Sequence, residues 1–422
     1  MFLLYSILLT LGFLLMLPLF LLRREKYASG FRQRLGNYPG FKDDERNVIW
    51  LHCVSVGETN AARPLVDAIR KEFPDHRLVV STTTKTGQEL ARKIFADNAD
   101  AVIYFPFDWK FSVRRVLERF KPSLVLLMET EIWPRFIREA KLAGAKVTIV
   151  NGRLSQRSFQ RYARVRPLIR TALADIDLAL MQDEADARRI IDLGMPSDQV
   201  SVTGNLKFEQ PADKAADRLT DELRTRFAIS PDKPLIIAAS THEPEERYVI
   251  ESLVGELGHA CRLMIVPRHP ERFDHVEKLL CDSPYSFVRR SSEPSDKDKT
   301  ADIILLDTIG ELRAAYPLAA IVFVGGSLIQ HGGQSILEPA AEGKAIVTGP
   351  FTENFRSIIN VFLSQEAIIQ LAAESGLASS FVSLLHDPAK REFLGKNAKS
   401  TVDENSGASQ RTIEAVKRLL AA

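Results

Sequence analysis

Past residue 45 the chain alternates short, almost unbroken apolar runs with amphipathic stretches. The runs fall at 48–54 (VIWLHCV), 77–83, 101–106, 124–129, 146–152, 178–182 and 200–205. Helical patterns such as ARPLVDAIRKEF and RFIREAKLAG lie between them. Apolar strands separated by amphipathic helices predict a parallel sheet covered on both faces. A charged, Pro-flanked stretch at 207–234 interrupts the rhythm and reads as an interdomain segment. The alternation then restarts at 235–241, 262–268, 285–290, 302–307, 320–327 and 345–350, with a polar loop at 291–301 and helices at the end. Two successive units of this kind predict an α/β protein of two Rossmann-like domains. The domain over 23–210 would come first and that over 211–422 second, with the last helices able to pack back on the first domain.

The opening pattern is different. Residues 1–22, MFLLYSILLTLGFLLMLPLFLL, carry no charge. As a helix they would rise about 30 Å, the thickness of a bilayer core. The segment lacks a basic n-region and is too long for a cleavable signal. It reads as an anchor that either spans the membrane or lies on it. Arg23, Arg24, Lys26, Arg32 and Arg34 follow, against Glu25 alone. That bias places the remainder in the cytoplasm and favours anionic lipid.

Composition narrows the classes without choosing among them. An apolar content of 45% and a charged content of 26% fit a globular protein. A net charge of +2 gives no bulk field for nucleic acid. Cys53, Cys261 and Cys281 are scattered, which fits a reducing compartment and leaves no Cys-rich zinc site. The eight histidines show neither HxxxH nor HExxH spacing, so no metal site is expected.

Ligands of open parallel sheets collect beyond the carboxyl ends of the strands. Ser55, Gly57 and Glu58 follow the first run; Glu58 there is either a carboxylate at a helix start or a general base. Glu129 and Glu131 end the fourth run, before Trp133-Pro134 opens a helix. Arg157, Arg161 and Arg164 share one helix face, either solvated or able to hold lipid phosphate. Lys207 closes the first half, where it could offset negative charge or simply be a surface lysine. In the second half, Ser240 and Thr241 precede an acidic helix start and could cap it or cradle a phosphate. Arg268 stands at another strand end, after Pro267. Gly325, Gly326, Gly332 and Gly333 free the backbone to approach a ligand, and Glu338 follows as an acceptor suited to a ribose diol.

The set HCVSVGE, ETEIWP, GNLKFE, STHEPEE, VPRHPER and GGSL…HGG…LEPA…GK, in that order, resembles the 3-deoxy-D-manno-octulosonic acid (Kdo) transferases of lipid A assembly. The resemblance runs from the anchor to about residue 356. It implies a GT-B glycosyltransferase on the cytoplasmic face of the inner membrane. Such an enzyme moves Kdo from CMP-Kdo to lipid IVA with inversion, without a metal or other cofactor. By position, the resemblance implies that Glu58 is the base. It makes Glu131, Glu129 and Lys207 transition-state stabilisers. It places CMP at Pro267-Arg268, Ile309-Gly310-Glu311 and Ser335-Ile336-Leu337-Glu338. Family members carry His-Asn-Pro where this chain has Gln334-Ser335-Ile336, a departure at the nucleotide segment. The alternatives are a GT-B enzyme using another activated sugar, separated by donor choice, and a non-catalytic nucleotide-binding scaffold, separated by Glu58→Ala.

Overall fold

In the computed structural model, which describes residues 2–22, 29–38, 40–41, 44–209, 214–253 and 260–421, each apolar run becomes a strand. The first unit holds β1 (Val48–Cys53), β2 (Arg77–Thr82), β3 (Ala101–Tyr104), β4 (Pro122–Met128), β5 (Lys146–Gly152), β6 (Leu178–Met181) and β7 (Val200–Val202). They pair in parallel in the order β3-β2-β1-β4-β5-β6-β7. Alternation along β1 feeds two cores. Val48 and Trp50 pack with Phe105, Phe120 and Phe136 on one face. Ile49, Leu51 and Cys53 pack with Leu65, Val66 and Ile69 of the helix Arg63–Glu72 on the other. Trp50 is fully buried, and Trp50→Ala would cost about 3–5 kcal/mol.

The second unit holds β8 (Leu235–Thr241), β9 (Arg262–Pro267), β10 (Phe287–Arg289), β11 (Ile303–Leu305), β12 (Ile321–Val324), β13 (Ala345–Thr348) and β14 (Ile368–Gln370). Its parallel order is β10-β11-β9-β8-β12-β13-β14. In each sheet the order reverses beside the first strand, between β1 and β4 and between β8 and β12. These are the switch points where open α/β sheets leave a crevice.

The chain divides after residue 209, and residues 406–422 group with the first unit, the packing allowed for the last helices. There Ile413 and Val416 of the helix Ala408–Ala421 enter the first unit's core, and the Ser409 amide donates to Glu209 at 2.6 Å. Strand β14 was not anticipated: its apolar run, three residues long, is too short for a periodic signal. The expected linker at 207–234 contains a regular helix, Lys214–Arg226, whose Arg226 pairs with Asp298 at 2.7 Å. The basic residues Arg23, Arg24 and Lys26 lie outside the described residues.

Candidate active site

On the first unit the carboxylates gather at the β1/β4 switch point. β1 ends at Cys53, and Ser55 caps the helix Val56–Ala61 in extended backbone. Glu58, at the third helical position, turns its side chain back. Its Oε2 accepts from the Val54 amide at 2.8 Å, and its Oε1 from the Ser55 hydroxyl at 2.9 Å. The arrangement varies the capping box, with the donor amide moved one residue upstream, from Ser55 to Val54. Yet Glu58 is only 7% exposed. Burial pushes its pKa up to about 7, and the Glu129 and Glu131 carboxylates push the same way against the Val54 and Ser55 hydrogen bonds. Capping and base-like character therefore coincide in one side chain. Gly57 sits within that helix and makes no use of the tight turn that glycine would permit.

Glu129 takes a left-handed backbone, φ 54°, directly after β4, so the chain turns sharply into Glu131 and Trp133. Its Oε1 lies 3.3 Å from Lys207 Nζ. Glu131 is raised by burial first and by Glu129 second. Lys207 is aimed by a residue that the sequence did not flag. Asn151, buried at the end of β5, accepts the Leu206 amide at 3.0 Å, and Asn205 accepts the Lys207 amide at 3.0 Å. A polar Asn closing an apolar strand was the available signal. Arg157 and Arg161 are exposed on the helix Gln156–Ala163. That helix is tied to the Glu129–Glu131 turn through the Tyr162 hydroxyl, which donates to the Thr130 carbonyl at 3.2 Å.

On the second unit the β8/β12 switch point is organised by Glu245, fully buried and also missed from sequence. Its carboxylate accepts the backbone amides of His242 (3.0 Å), Gly326 (2.6 Å), Ser327 (2.9 Å) and Leu328 (2.9 Å). This changes the reading of the glycine loop. Its amides at 326–328 are occupied from within, and Gly325 is required because a Cβ would stand 2.7 Å from Thr241 Cα. Ser240 adopts φ 55°, and Thr241 is buried and donates to Glu246 at 3.2 Å, so the Thr241 hydroxyl is engaged within the unit. Around Gly326, His242 lies 4.1 Å from His331 between ring centroids, and Gln334 Nε2 is 3.3 Å from His242 Nε2. Burial and the neighbouring His331 hold His242 down to about 4, so it is neutral at pH 7.

The nucleotide segments differ in what they offer. Arg268 is exposed beyond buried Pro267, and no carboxylate pairs with it among the described residues. Ile309 is 81% exposed, and Gly310 at φ 91° has open space around it. Glu311 is already held by Arg290 at 2.8 and 3.3 Å. Ile336 and Leu337 are core residues, so only their backbone can face a ligand. Ser335 accepts the Leu337 amide at 3.4 Å. Burial raises the Glu338 carboxyl, and among the described residues nothing hydrogen-bonds it.

The family model of 3-deoxy-D-manno-octulosonic-acid transferase (kdotransferase) matches residues 29–210. A 3-deoxy-D-manno-octulosonic acid transferase of Haemophilus influenzae is 34% identical over 398 residues, covering 94% of this chain and 92% of its own length. One from Chlamydophila psittaci is 31% identical over 423 residues, covering 99% and 96%. Among solved structures, UDP-GlcNAc 2-epimerase from Neisseria meningitidis aligns with a TM-score of 0.59 at 15% identity, covering 88% of this chain and 100% of that one. A glycosyltransferase from Rickettsia africae gives 0.57 at 12%, covering 89% and 99%. These two share the fold, the two-Rossmann GT-B class. With about a third of its residues shared along nearly its whole length, the chain belongs to the 3-deoxy-D-manno-octulosonic acid transferase family.

Proposed function

We propose that the protein transfers Kdo from CMP-Kdo to the lipid A precursor lipid IVA, with inversion, at the cytoplasmic face of the inner membrane. The observation that carries this reading is Glu58, a buried carboxylate at the β1/β4 switch point whose proton affinity sits near neutrality. A base poised near the working pH suits removal of a proton from a sugar hydroxyl. The acceptor oxygen bonds to the anomeric carbon of Kdo as the bond from that carbon to the CMP phosphate breaks. The proton passes to Glu58, and the electron pair leaves with CMP. Lys207, kept in place by Glu129, supplies positive charge where negative charge develops, and Glu131 beside it maintains the field that raises Glu58.

On the second unit Glu338 is the acceptor for the ribose diol, and Arg268 offers its guanidinium to the phosphate. The backbone of Ile309-Gly310 and Ser335-Ile336-Leu337 borders the nucleotide, and Glu311 orders that edge through Arg290. The N-terminal helix Phe2–Leu22, long and apolar enough to cross a membrane by length and composition, keeps the protein at the surface where the lipid acceptor resides. The basic residues after it in the sequence favour anionic lipid there. Mass spectrometry of lipid IVA incubated with the protein and CMP-Kdo tests the reading. A product heavier by Kdo is expected, and turnover of a UDP-sugar in its place would overturn the donor assignment.

A further inference from the structure

A cavity of about 680 Å³ lies on the first unit, beyond the ends of β2 and β3. Leu9 and Phe13 of the N-terminal helix form one wall; Phe105, Phe107, Trp109 and Trp133 form the others. The helix reaches it by docking. The Tyr5 hydroxyl donates to Asp108 at 2.7 Å. Arg135 donates to the Phe2 carbonyl at 2.9 Å and to the Ser6 hydroxyl at 3.0 Å. Trp109 donates to the Thr10 hydroxyl at 3.1 Å. Tyr5, Ser6 and Thr10 all find partners on the unit, while Leu3, Leu4, Ile7, Leu8, Leu11 and Leu15 remain exposed. A hydroxyl facing lipid has no partner there, so this distribution fits a helix with one face on protein and one in the membrane.

Two cations, Arg34 and Lys85, also border the cavity, as does Asp108, whose carboxylate accepts from Tyr5 and from the amides of Arg135 and Phe136. Arg34 is half-buried there. It donates to the carbonyls of Ser29 and Thr83 and lies over the rings of Tyr104 and Phe107. Among the described residues no carboxylate pairs with it. A guanidinium left in apolar surroundings without a counter-ion is costly unless an anion arrives. Lys85 borders the same cavity from the first turn of the helix Lys85–Ile94, which Thr84 caps. Lys85 meets Glu89 only at 3.9 Å, on the surface. The lining also adjoins the candidate base: the amides of Thr83 and Thr84 both donate to the Val54 carbonyl at 3.3 Å, just before Ser55. At the far wall Trp133 follows Glu131 by two residues.

We propose that this cavity receives one acyl chain of a phosphorylated lipid, with the phosphate at Arg34 and Lys85, so that the N-terminal helix is a wall of the acceptor site as well as a membrane attachment. The identification of that lipid with the acceptor rests on the transferase reading above. The volume is within the roughly 300–1,000 Å³ typical of ligand pockets. A long chain entering between Phe13 and Trp133 would leave its head group beside the loop that carries Glu58.

The test uses the full-length protein in nonionic detergent and reads tryptophan fluorescence, because Trp109 and Trp133 line the cavity. The probes are phosphatidic acid with a dibrominated acyl chain and the neutral dibrominated diacylglycerol. Saturable quenching is expected at roughly tenfold lower concentration for the anionic probe. Lys85→Gln should raise that concentration toward the neutral value. Leu9→Phe, which fills the cavity, should raise it for both probes. Leu15→Phe, on the exposed side of the same helix, should change nothing. CMP affinity on the same samples reports that each variant is folded. Equal quenching by both probes, or no response to Leu9→Phe, would overturn the proposal. So would inorganic phosphate that abolishes quenching at the lipid's own concentrations, because the site would then take a free anion. Quenching without Kdo turnover would leave the cavity standing and sink the transferase reading, and turnover without saturable quenching would do the reverse.

Discussion

Glu58 Oε2 lies 2.8 Å from the amide nitrogen of Val54, so the carboxylate that fastens the end of β1 to the next helix is also the most base-like group at the switch point. A single hydrogen-bonded carboxylate thus carries two demands that oppose each other. The cap favours the ionised form, while burial and two neighbouring glutamates favour the protonated one.

That opposition fixes a pH dependence. Glu58 titrates near 7 in the folded protein, from an ordinary value near 4.5. As a base it works only when ionised, so kcat/KM should climb about tenfold per pH unit below 7 and level off above it. Glu58→Gln should abolish that limb and lower the rate by about 10²–10⁴. A limb that persists in the variant would remove Glu58 from the role.

The same shift has the opposite sign for stability. A carboxyl whose folded pKa is raised stabilises the fold below its unfolded pKa, and that contribution fades as pH rises from about 4.5 to 7. The interval corresponds to at most about 3 kcal/mol. Glu58→Gln keeps an oxygen for the Val54 amide and removes the buried charge. It should therefore melt higher than the parent at pH 8, and the gain should vanish near pH 5. Calorimetry at both pH values checks this.

Glu245 supports the second unit's loop with four backbone amides on one buried carboxylate. Glu245→Ala would strand those donors and should cost about 3–5 kcal/mol, with a matching loss of CMP affinity as the loop of Gly326 relaxes. Glu245→Gln, which retains one acceptor oxygen, should fall between. Thermal melts and CMP titration calorimetry read the two effects separately, and an Ala variant that binds CMP normally would show that the loop does not shape the nucleotide site.

Asn151 should reveal itself as a positioning residue for Lys207. It holds the Leu206 amide and adopts φ 52°, a conformation that glycine tolerates and alanine does not. Asn151→Gly should lose the hydrogen bond alone, and Asn151→Ala should also carry roughly 1 kcal/mol of backbone strain. Both should reduce kcat while leaving CMP affinity intact, because the change is confined to the first unit. Stability lost equally in the two variants would argue against the strain.

These residues show what was legible in the sequence. The strands could be read because parallel strands buried on both faces are apolar runs, and β1 through β13 announced themselves this way. Glu58, Glu129, Glu131 and Lys207 could be singled out as candidates because they follow strands, and strand ends are where α/β sheets expose chemistry. Glu245 and Asn151 could not, since their importance lies in bonds to amides 81 and 55 residues away. Nor could the meaning of the glycines: Gly325 makes room for Thr241, a packing fact that no local pattern carries.

Glu338 gives the most direct check on the nucleotide side. Its carboxyl is desolvated enough to be raised, yet no hydrogen bond among the described residues uses it. An acceptor left open in a partly buried position is matched by a pair of hydroxyls, and a ribose offers them. Hydrogen bonds to a charged group contribute about 1.5–3 kcal/mol, which is a factor of roughly 10–100 in affinity. The parent protein should therefore prefer CMP over its 2′,3′-dideoxy analogue by that factor. Glu338→Ala should bind CMP more weakly and the dideoxy analogue almost as well as the parent, so that the preference collapses. If the variant loses affinity for both in proportion, the carboxylate supports the loop rather than the ribose, and the diol must be recognised elsewhere. The Arg313 guanidinium lowers the Glu338 carboxyl against the burial that raises it, so Arg313→Gln should raise it further and weaken CMP binding more on the acidic side than on the alkaline side. An ionised acceptor predicts that asymmetry, and a purely steric role does not.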